Sequence, residues 1–201
     1  NLSFQYDNGY EKRNVFSDFS FQFNPGINII WGSNGVGKTS LLKLISGDLS
    51  PYQGSIIKGG KNITSLRKNQ RNVFFINQVP YDSLSVNSVV FENVVAVSNK
   101  FSISNFTVEN KLQSQNGSAD FGINFGKQNP FWVRNVGNLS GGQAQTLNMF
   151  LCSISEADTL LADEPTSGID SENIQLFIRF IHKISETEFL CNRCKYNNNE
   201  R

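Results

Sequence analysis

Alternating apolar and polar positions predict β-strands near the start of the chain. Apolar side chains occupy every second position over residues 1–6, as in a strand with one buried face. Phenylalanine recurs with mostly period-two spacing over residues 16–23, which predicts a second strand, and Asn-Pro-Gly at 24–26 is a turn signal. Residues 55–58 and the glycines at 59–60 predict a hairpin arm and its turn.

Nearly continuous apolar runs predict strands of another kind further along the chain. Residues 27–31 and 73–76 are short and rich in β-branched or aromatic side chains, which is typical of strands buried on both faces. Residues 159–162 predict another strand. Strands of this type belong mostly to parallel sheets whose faces are covered by helices.

Three segments have helical spacing. Residues 39–46 predict a short buried helix with Gly47 as its C-terminal cap. A second helix is predicted from Gly142 onward, and a third is predicted to begin at a cap formed by Asp170 or Ser171. The apolar residues predicted to form the buried face of the third helix are Ile174, Phe177, Ile178, Ile181 and Ile184.

The region between the first two of these helices changes character after residue 78. It has few strong strands, and its helical periodicity around residues 86–97 is weak. We therefore predict a single α/β domain with a mainly parallel sheet and an antiparallel β annex. Residues 1–80 and 139–201 form its core, and residues 81–138 form an inserted α-helical subdomain.

Composition and charge narrow the class of partner. The 201 residues carry a net charge of +1, so no nucleic-acid partner is expected, and a basic cluster at Arg67, Lys68 and Arg71 is predicted to be a solvated loop. No apolar run reaches the roughly 18–20 residues needed to cross a bilayer. Cys191 and Cys194 form a lone C-x-x-C pair, which we interpret as reduced thiols rather than a metal site.

The most specific motif follows the predicted strand at 27–31. Residues 32–39 have the sequence GSNGVGKT, which matches the phosphate-binding loop G-x-x-x-x-G-K-[ST]. Glycines let successive main-chain N–H groups face phosphate oxygens, Lys38 adds a positive charge, and the Thr39 hydroxyl is suited to bind Mg²⁺. The predicted ATP-binding residues are Gly32, Ser33, Asn34, Gly35, Val36, Gly37, Lys38, Thr39 and Ser40.

A pair of carboxylates follows the predicted strand at 159–162. Asp163 is placed to hold Mg²⁺, normally through water, and Glu164 to polarise the attacking water as a general base. Alone the pair is a weak signal, equally typical of a solvated loop. Together with the phosphate-binding loop it resembles a Walker B element.

A third motif makes the resemblance specific. Residues 139–143 have the sequence LSGGQ, and the chain from 1 to about 185 resembles the ATP-binding cassette (ABC) family of P-loop ATPases with a RecA-like core. The resemblance implies that Tyr6 stacks on adenine and that Gln78 binds Mg²⁺ and assists catalysis beside Lys38 and Glu164. It further assigns ATP-binding roles to Ser140, Gly141, Gly142, Gln143 and Asp170.

The same resemblance implies a composite site. The signature at 139–143 starts a helix, so it forms a second anion-binding end. It is expected to close over ATP held by the phosphate-binding loop of a second nucleotide-binding domain, and hydrolysis would release the two halves. The implied cofactors are ATP and Mg²⁺.

The sequence departs from the family pattern at several positions. The family's switch histidine is expected just after a strand predicted at 188–191, but Asn192 and Arg193 follow there, and the lone histidine, His182, lies inside the preceding helix. The chain then stops before the C-terminal part that the family usually has, so a truncation is expected. Ala144 and Thr146 replace basic residues common in the family. These departures bear on turnover more than on ATP binding.

Three functions follow as hypotheses. The first is the ATPase subunit or domain of an ABC transporter, on the cytoplasmic face of a membrane, with residues 81–91 contacting a transmembrane partner. The chain starts at Asn1 rather than Met, so a fused upstream membrane domain stays open. The second is an ABC ATPase without a transport role, and the third is a cassette that binds ATP without efficient turnover.

Overall fold

A parallel sheet of four strands forms the centre of the molecule. A computed structural model describes residues 1–104, 129–168, 170–184 and 188–192, with Lys183 and 188–192 described by their backbone alone. The strands are β3 (Ile27–Ile30), β6 (Val73–Ile76), β7 (Thr159–Asp163) and β8 (Glu188–Asn192), in the spatial order β3-β8-β7-β6. The predicted parallel sheet is confirmed.

Helices cover the two faces of this sheet. Helix α1 (Lys38–Ser46) packs on one face, where Leu42 meets Val73 and Phe75. Helices α3 (Gly141–Ser155) and α4 (Ser171–Lys183) cover the other face, which includes Phe74 and Ile76. Successive side chains of a strand point to opposite faces, so the continuous apolar run of β6 serves two layers of core.

Strand β3 differs from its prediction as a strand buried on both faces. Ile27 is 43% exposed and Ile29 is 60% exposed. Among the described residues β3 pairs with β8 alone, so it lies at an edge of the sheet, and Ile30 packs in the α1 layer. The helices on the opposite face lie over β6 and β7, which leaves this face of β3 exposed.

An antiparallel pair, β1 (Leu2–Asp7) and β2 (Lys12–Phe19), forms the annex. The second strand starts and ends earlier than predicted. Polar residues at its start pair with the end of β1 across a tight turn that contains Gly9 at φ +83°. The phenylalanines at 21 and 23 extend beyond the strand as a row of ring contacts.

A short hairpin, β4 (Ile57–Lys58) and β5 (Lys61–Asn62), confirms the predicted arm and glycine turn. Arg71, predicted to be solvated, is 2% exposed. Its guanidinium donates to the carbonyls of Leu44, Ile45, Thr64 and Leu66. Carbonyl acceptors at the end of α1 thus make burial of this charge possible.

The region predicted to be an inserted subdomain, residues 81–138, contains α2 (Val90–Lys100) and short 3-10 helices at Pro130–Val133 and Val136–Asn138, and another 3-10 helix, Pro80–Ser83, begins just before it. The helical periodicity is thus confirmed a few residues later than predicted. Helix α2 packs on α3 through Val90 and Val94. No helix among the described residues is long and apolar enough to cross a bilayer.

The buried face of α4 is rotated from the predicted one. The most deeply buried side chains are those of Leu176, Phe177, Phe180 and Ile181, whereas Ile174, Ile178 and Ile184 are partly exposed. Both sets have helical spacing, and packing against α3 selects the first. Asp170 caps the helix as predicted, since its Oδ1 accepts from the main-chain N–H of Asn173 at 2.9 Å.

Candidate functional site

The phosphate-binding loop wraps the side chain of its own lysine. The Nζ of Lys38 donates to the carbonyl oxygens of Gly32 at 3.0 Å and Ser33 at 2.9 Å. The loop connects β3 to α1, as the sequence predicts, so the N-terminal end of α1 faces the loop. Unpaired N–H groups and the helix dipole are the features that suit a helix N-terminus to bind anions.

Gly37 is required by both its backbone and its surroundings. Its φ of +109° is in the left-handed region, and a Cβ there would lie 2.7 Å from a methyl carbon of Val15. Any larger residue would therefore collide with β2. The close approach of the loop to β2 places the annex directly beside the phosphate site.

The loop forms the floor of a cleft of about 350 Å³. Of the predicted site residues, Tyr6, Asn34, Gly35, Gly37, Lys38, Thr39, Ser40, Gln78 and Glu164 line this cleft. Gly32, Ser33 and Val36 lie in the loop outside the lining, and Asp163 lies buried at the end of β7. The structure therefore brings together residues that are up to 158 positions apart in the chain, from Tyr6 to Glu164.

Tyr6 stands on the annex wall of the cleft. The residue is 42% exposed, and its ring meets that of Phe4 edge-on at 4.9 Å between centroids. Its hydroxyl shares a hydrogen bond of 3.0 Å with the Oγ of Ser40 on α1. Tyr6 is thus accessible from the cleft, as adenine stacking requires, while its hydroxyl is hydrogen-bonded to the helix that follows the phosphate-binding loop.

Two residues of the cleft, Arg13 and Val15, were not identified from sequence. Arg13 pairs with Tyr6 across the β1–β2 ladder, and its guanidinium lies 3.6 Å from the Cβ position of Gly35. The side chain is exposed at the cleft, so its charge is available to a phosphate or ribose oxygen. The alternation of β2 was the available signal, but only the register with Tyr6 shows which face points to the loop.

Glu164 and Gln78 meet across the cleft. The Nε2 of Gln78 donates to the Oε2 of Glu164 at 3.2 Å. Glu164 has φ +43°, a left-handed conformation that is unfavourable for a residue with a side chain. Such strain is common at catalytic positions because the surrounding structure must hold it. The contact joins two of the three side chains to which the family resemblance gives a catalytic role, the third being Lys38.

The signature residues lie outside the cleft of their own chain. Ser140 caps α3, and its Oγ accepts from the main-chain N–H of Gln143 at 3.2 Å, while Gln143 Oε1 accepts from the main-chain N–H of Ser140 at 3.1 Å. Among the described residues, no atom outside its own helix turn and chain neighbours lies within 4 Å of the Cβ position of Gly141. Neither the signature nor Asp170 is part of the cleft lining.

Asp170 is linked to the signature through Asn173. A Cβ on Gly142 would lie 2.5 Å from the Nδ2 of Asn173, and that Nδ2 donates to Asp170 Oδ2 at 2.8 Å. Hydrogen bonds from the backbone and side chain of Asn173 lower the pKa of Asp170 below its ordinary value. A side chain at position 142 would therefore displace that of Asn173, where α3 and α4 approach each other.

The structure places two of the residues at which the sequence departs from the family pattern, His182 and Asn192. His182 is exposed on α4 and does not line the cleft. In the parallel register of β7 and β8, Asn192 lies opposite Asp163, and Cys191 lies within β8. Arg193 and Cys194 fall outside the described residues. Within the described part no cluster of three or more His, Cys, Asp or Glu side chains forms a metal site.

Comparison with known proteins decides the family. The family described as "ABC transporter" matches residues 16–167, which is well over half of the chain. The chain belongs to the ABC transporter family. It is an ABC-type ATP-binding domain, and ATP hydrolysis is the activity of this class of domain.

Several proteins with similar sequences are named as ATP-binding proteins of transport systems. The zinc uptake system ATP-binding protein ZurA of Listeria innocua is 30% identical over 94% of this chain and 71% of its own length. The ergothioneine transport ATP-binding protein EgtV of Helicobacter pylori is 29% identical over 94% of this chain and 85% of its own. A Clostridium tetani protein named as an ABC transporter ATP-binding protein is 30% identical, and this chain spans 37% of its length.

Solved structures have the same fold. A dimeric ATP-binding cassette in a post-hydrolysis state with ADP and Pi, MJ0796, matches with a TM-score of 0.74 at 19% identity, over 96% of this chain and 86% of that one. The protein cbiO1 of Clostridium perfringens, part of an ABC transporter complex, matches with a TM-score of 0.71 at 21% identity, over 96% and 76%. The P-loop ATPase fold of this ABC domain is thereby shown.

Proposed function

We propose that this ABC domain hydrolyses Mg-ATP in a site shared by two nucleotide-binding domains and thereby drives a membrane transporter. The observation that carries the shared site is the position of the signature. Ser140 and Gly141 are exposed or partly exposed at the start of α3 and do not line the cleft of their own chain. A helix start with an open glycine is suited to bind phosphate brought by another copy.

The oxygen-rich wall of the cleft fits Mg²⁺. The Thr39 hydroxyl and the Gln78 amide both line it, and Mg²⁺ prefers oxygen ligands while keeping several waters. Thr39 and Gln78 would hold the ion there, with Asp163 behind them acting through water. When bound, the ion neutralises charge on the terminal phosphates.

The chain's own residues then have distinct roles. Lys38 donates hydrogen bonds to the terminal phosphates and neutralises part of their charge. Glu164 accepts a proton from the attacking water, and Gln78, which already contacts Glu164, orients that water. Tyr6 stacks on adenine, and Arg13 donates to phosphate or ribose oxygens. None of these roles falls to a histidine, and Asn192 lies opposite Asp163 near the place where the family has one. We therefore expect turnover to be slow.

A mixing experiment tests the shared site. Lys38→Ala removes the phosphate contact in one chain, and Gly141→Asp places a negative charge where phosphate would bind, in a position with open space for the side chain. We expect each variant alone to lose turnover and their mixture to regain part of it. In the mixed dimer an intact loop meets an intact signature, and phosphate release by the mixture measures this.

The matched control combines Lys38→Ala with Glu164→Gln. Lys38 and Glu164 line the same cleft of one chain, so no mixed dimer of this pair contains an intact site. This mixture stays inactive if the proposal is right. Wild-type turnover by Gly141→Asp alone, or no recovery in the first mixture, would show that the signature does not act across two copies.

The membrane partner is proposed to contact the surface that follows Gln78. Val79, Val86, Phe91 and Val95 are exposed apolar side chains in this stretch. Phe91 and Val95 are one turn apart on α2, so they share a face of that helix. Two relatives are named as ATP-binding proteins of a zinc uptake and an ergothioneine transport system, which supports a membrane domain as the occupant.

We expect Phe91→Glu to lower the fraction of this protein that sediments with the membranes of its native cells, because a charge would be buried in the contact. Ile57→Glu is the control, since Ile57 is 58% exposed and Phe91 is 55% exposed, but Ile57 lies on the β4–β5 hairpin. Cross-linking to a multispanning protein should decrease in the same variant. Equal losses in both variants, or none in either, contradict the assigned surface.

A further inference from the structure

Two buried amide side chains connect α3 to the chain just after Gln78 and just after Glu164. The Nε2 of Gln145 donates to the carbonyl oxygen of Pro165 at 3.0 Å, and Pro165 follows Glu164 directly. The Nδ2 of Asn148 donates to the carbonyl oxygen of Pro80 at 2.8 Å, two residues after Gln78. Both amide side chains are completely buried.

A third contact joins the same elements at the start of α3. The hydroxyl of Tyr81 donates to the carbonyl oxygen of Leu139, the residue before the helix cap Ser140. The 3-10 turn at Pro80–Ser83 is therefore attached at two places: Tyr81 bonds Leu139 just before α3, and Pro80 bonds Asn148 about two turns further along the helix. Two hydrogen bonds thus join α3 to the backbone just after Glu164 and Gln78, and a third joins the 80–83 turn to the residue before the helix cap.

Stability is a poor explanation for these amides. The Oε1 of Gln145 and the Oδ1 of Asn148 have no hydrogen-bond partner among the described residues. A buried polar atom without a partner destabilises a folded protein, and a leucine or methionine of similar size would pack in the same core without that cost. What the amides provide and apolar side chains would not is a fixed position for two carbonyl groups.

The conformation of Glu164 requires such a contact. Its φ of +43° is unfavourable, and a strained residue persists only where neighbouring contacts hold it. The main-chain N–H of Ser167 donates to the carbonyl of Glu164 at 2.9 Å, and Gln145 holds the next carbonyl, that of Pro165. Gln145 therefore helps to define where the carboxylate of Glu164 points.

We propose that Gln145 and Asn148 are positioning residues for ATP hydrolysis. They fix Glu164 and Gln78 relative to α3, so that phosphate bound at the Ser140 end of this helix alters the placement of both catalytic side chains. This inference rests on the roles proposed above for Glu164 and Gln78. It adds a physical connection within one chain between the signature and the hydrolytic residues.

The near-isosteric variants Asn148→Leu and Gln145→Met test the proposal in the full chain. We expect the kcat of each for Mg-ATP to fall by roughly tenfold to a hundredfold with little change in KM, because small misplacements of catalytic groups lower the rate rather than nucleotide affinity. The melting temperature should fall less than for a fully paired buried amide, since removal of the unpaired amide oxygen offsets part of the cost of leaving the Pro80 or Pro165 carbonyl without its donor.

Asn93→Leu is the matched control. Asn93 is a buried amide on α2 that donates to the carbonyls of Val89 and Ser85, away from the cleft. We expect it to lose stability without a selective loss of kcat, because the Oδ1 of Asn93 is also paired and accepts from the main-chain N–H of Ser85 at 2.8 Å. An equal fall of kcat in Asn93→Leu and Asn148→Leu would show that both act only through stability and would overturn the proposal.

A double-mutant cycle with Gln78→Ala gives a readout that a structural role would not move. If Asn148 acts through Gln78, Asn148→Leu has no further effect on kcat in the Gln78→Ala background. Independent, multiplying effects would overturn the proposal, as would wild-type kcat in Asn148→Leu itself. If Glu164→Gln also left turnover unchanged, the proposed catalytic role would have failed rather than the positioning.

Hydrogen exchange provides a test that does not depend on turnover. In Asn148→Leu, or in Asn148→Ala if the leucine variant does not fold, amides of residues 77–84 should exchange faster than in the wild type. In Asn93→Leu, whose amide pairs with Ser85 rather than with Pro80, these amides should exchange no faster than the overall loss of stability accounts for. Unchanged exchange over 77–84 in the Asn148 variant means that Asn148 does not fix this segment, and the proposal is wrong.

Discussion

Replacing Lys38 with alanine raises the Kd for ATP by on the order of a hundredfold, because the variant loses charge-assisted hydrogen bonds to the phosphates. In the structure the Lys38 Nζ donates to the carbonyls of Gly32 and Ser33. These bonds hold the ammonium group over the loop, where phosphate oxygens would accept hydrogen bonds from it. The alanine variant should also lose the rise in melting temperature that ATP gives the wild type.

Lys43→Ala is the control for this experiment. Lys43 lies on the same helix, in its last turn, and does not line the cleft. Its removal changes the net charge by the same amount, so a general effect of charge on ATP affinity would appear in both variants. Titration calorimetry with Mg-ATP compares them, and wild-type affinity in Lys38→Ala would contradict the assigned phosphate site.

The loop at 32–39 and its flanking elements could be predicted because their signal is local. The loop at 32–39, the strand before it and the helix after it are consecutive in the chain, and each is specified by neighbouring residues. The same holds for the signature at 139–143, whose capping box uses Ser140 and Gln143 alone. Motifs of this kind need no tertiary contact to be identified.

Residues that depend on tertiary contacts could not be placed in this way. Arg13 lies at the cleft because β2 pairs with β1 in one register, and Arg71 is buried because four carbonyls from separate segments converge on it. The exposed face of β3 likewise depends on which helices cover the sheet. In each case the sequence shows the charge or the pattern, but the neighbours that decide burial lie far away along the chain.

The signature and the cleft also show what sequence motifs predict and what only the tertiary structure adds. Sequence predicts two phosphate-binding ends, and the structure shows that one chain does not bring them together in one cleft. Their separation within a chain favours a site completed by a second copy. The two buried amides of α3 could not be recognised from sequence motifs. What distinguishes Gln145 and Asn148 is their hydrogen bonds to Pro165 and Pro80, which are distant in the chain.

Replacing Glu164 with glutamine separates binding from chemistry. We expect kcat to fall by about 10²–10⁴, because the amide cannot accept the proton of the attacking water. The glutamine keeps the size of the side chain and an oxygen that can accept from Gln78 Nε2, so the cleft retains its shape. The Kd for ATP should therefore stay near that of the wild type, and measured phosphate release and calorimetry distinguish the two effects.

The same variant should accumulate as an ATP-bound dimer, since ATP that is not hydrolysed continues to bridge the loop of one copy and the signature of the other. Light scattering after size-exclusion chromatography, with and without Mg-ATP, measures this. Glu172→Gln is the control, because Glu172 is exposed in the first turn of α4 and does not line the cleft. Unchanged turnover in Glu164→Gln would show that another group accepts the proton, and a monomer at saturating ATP would contradict the shared site.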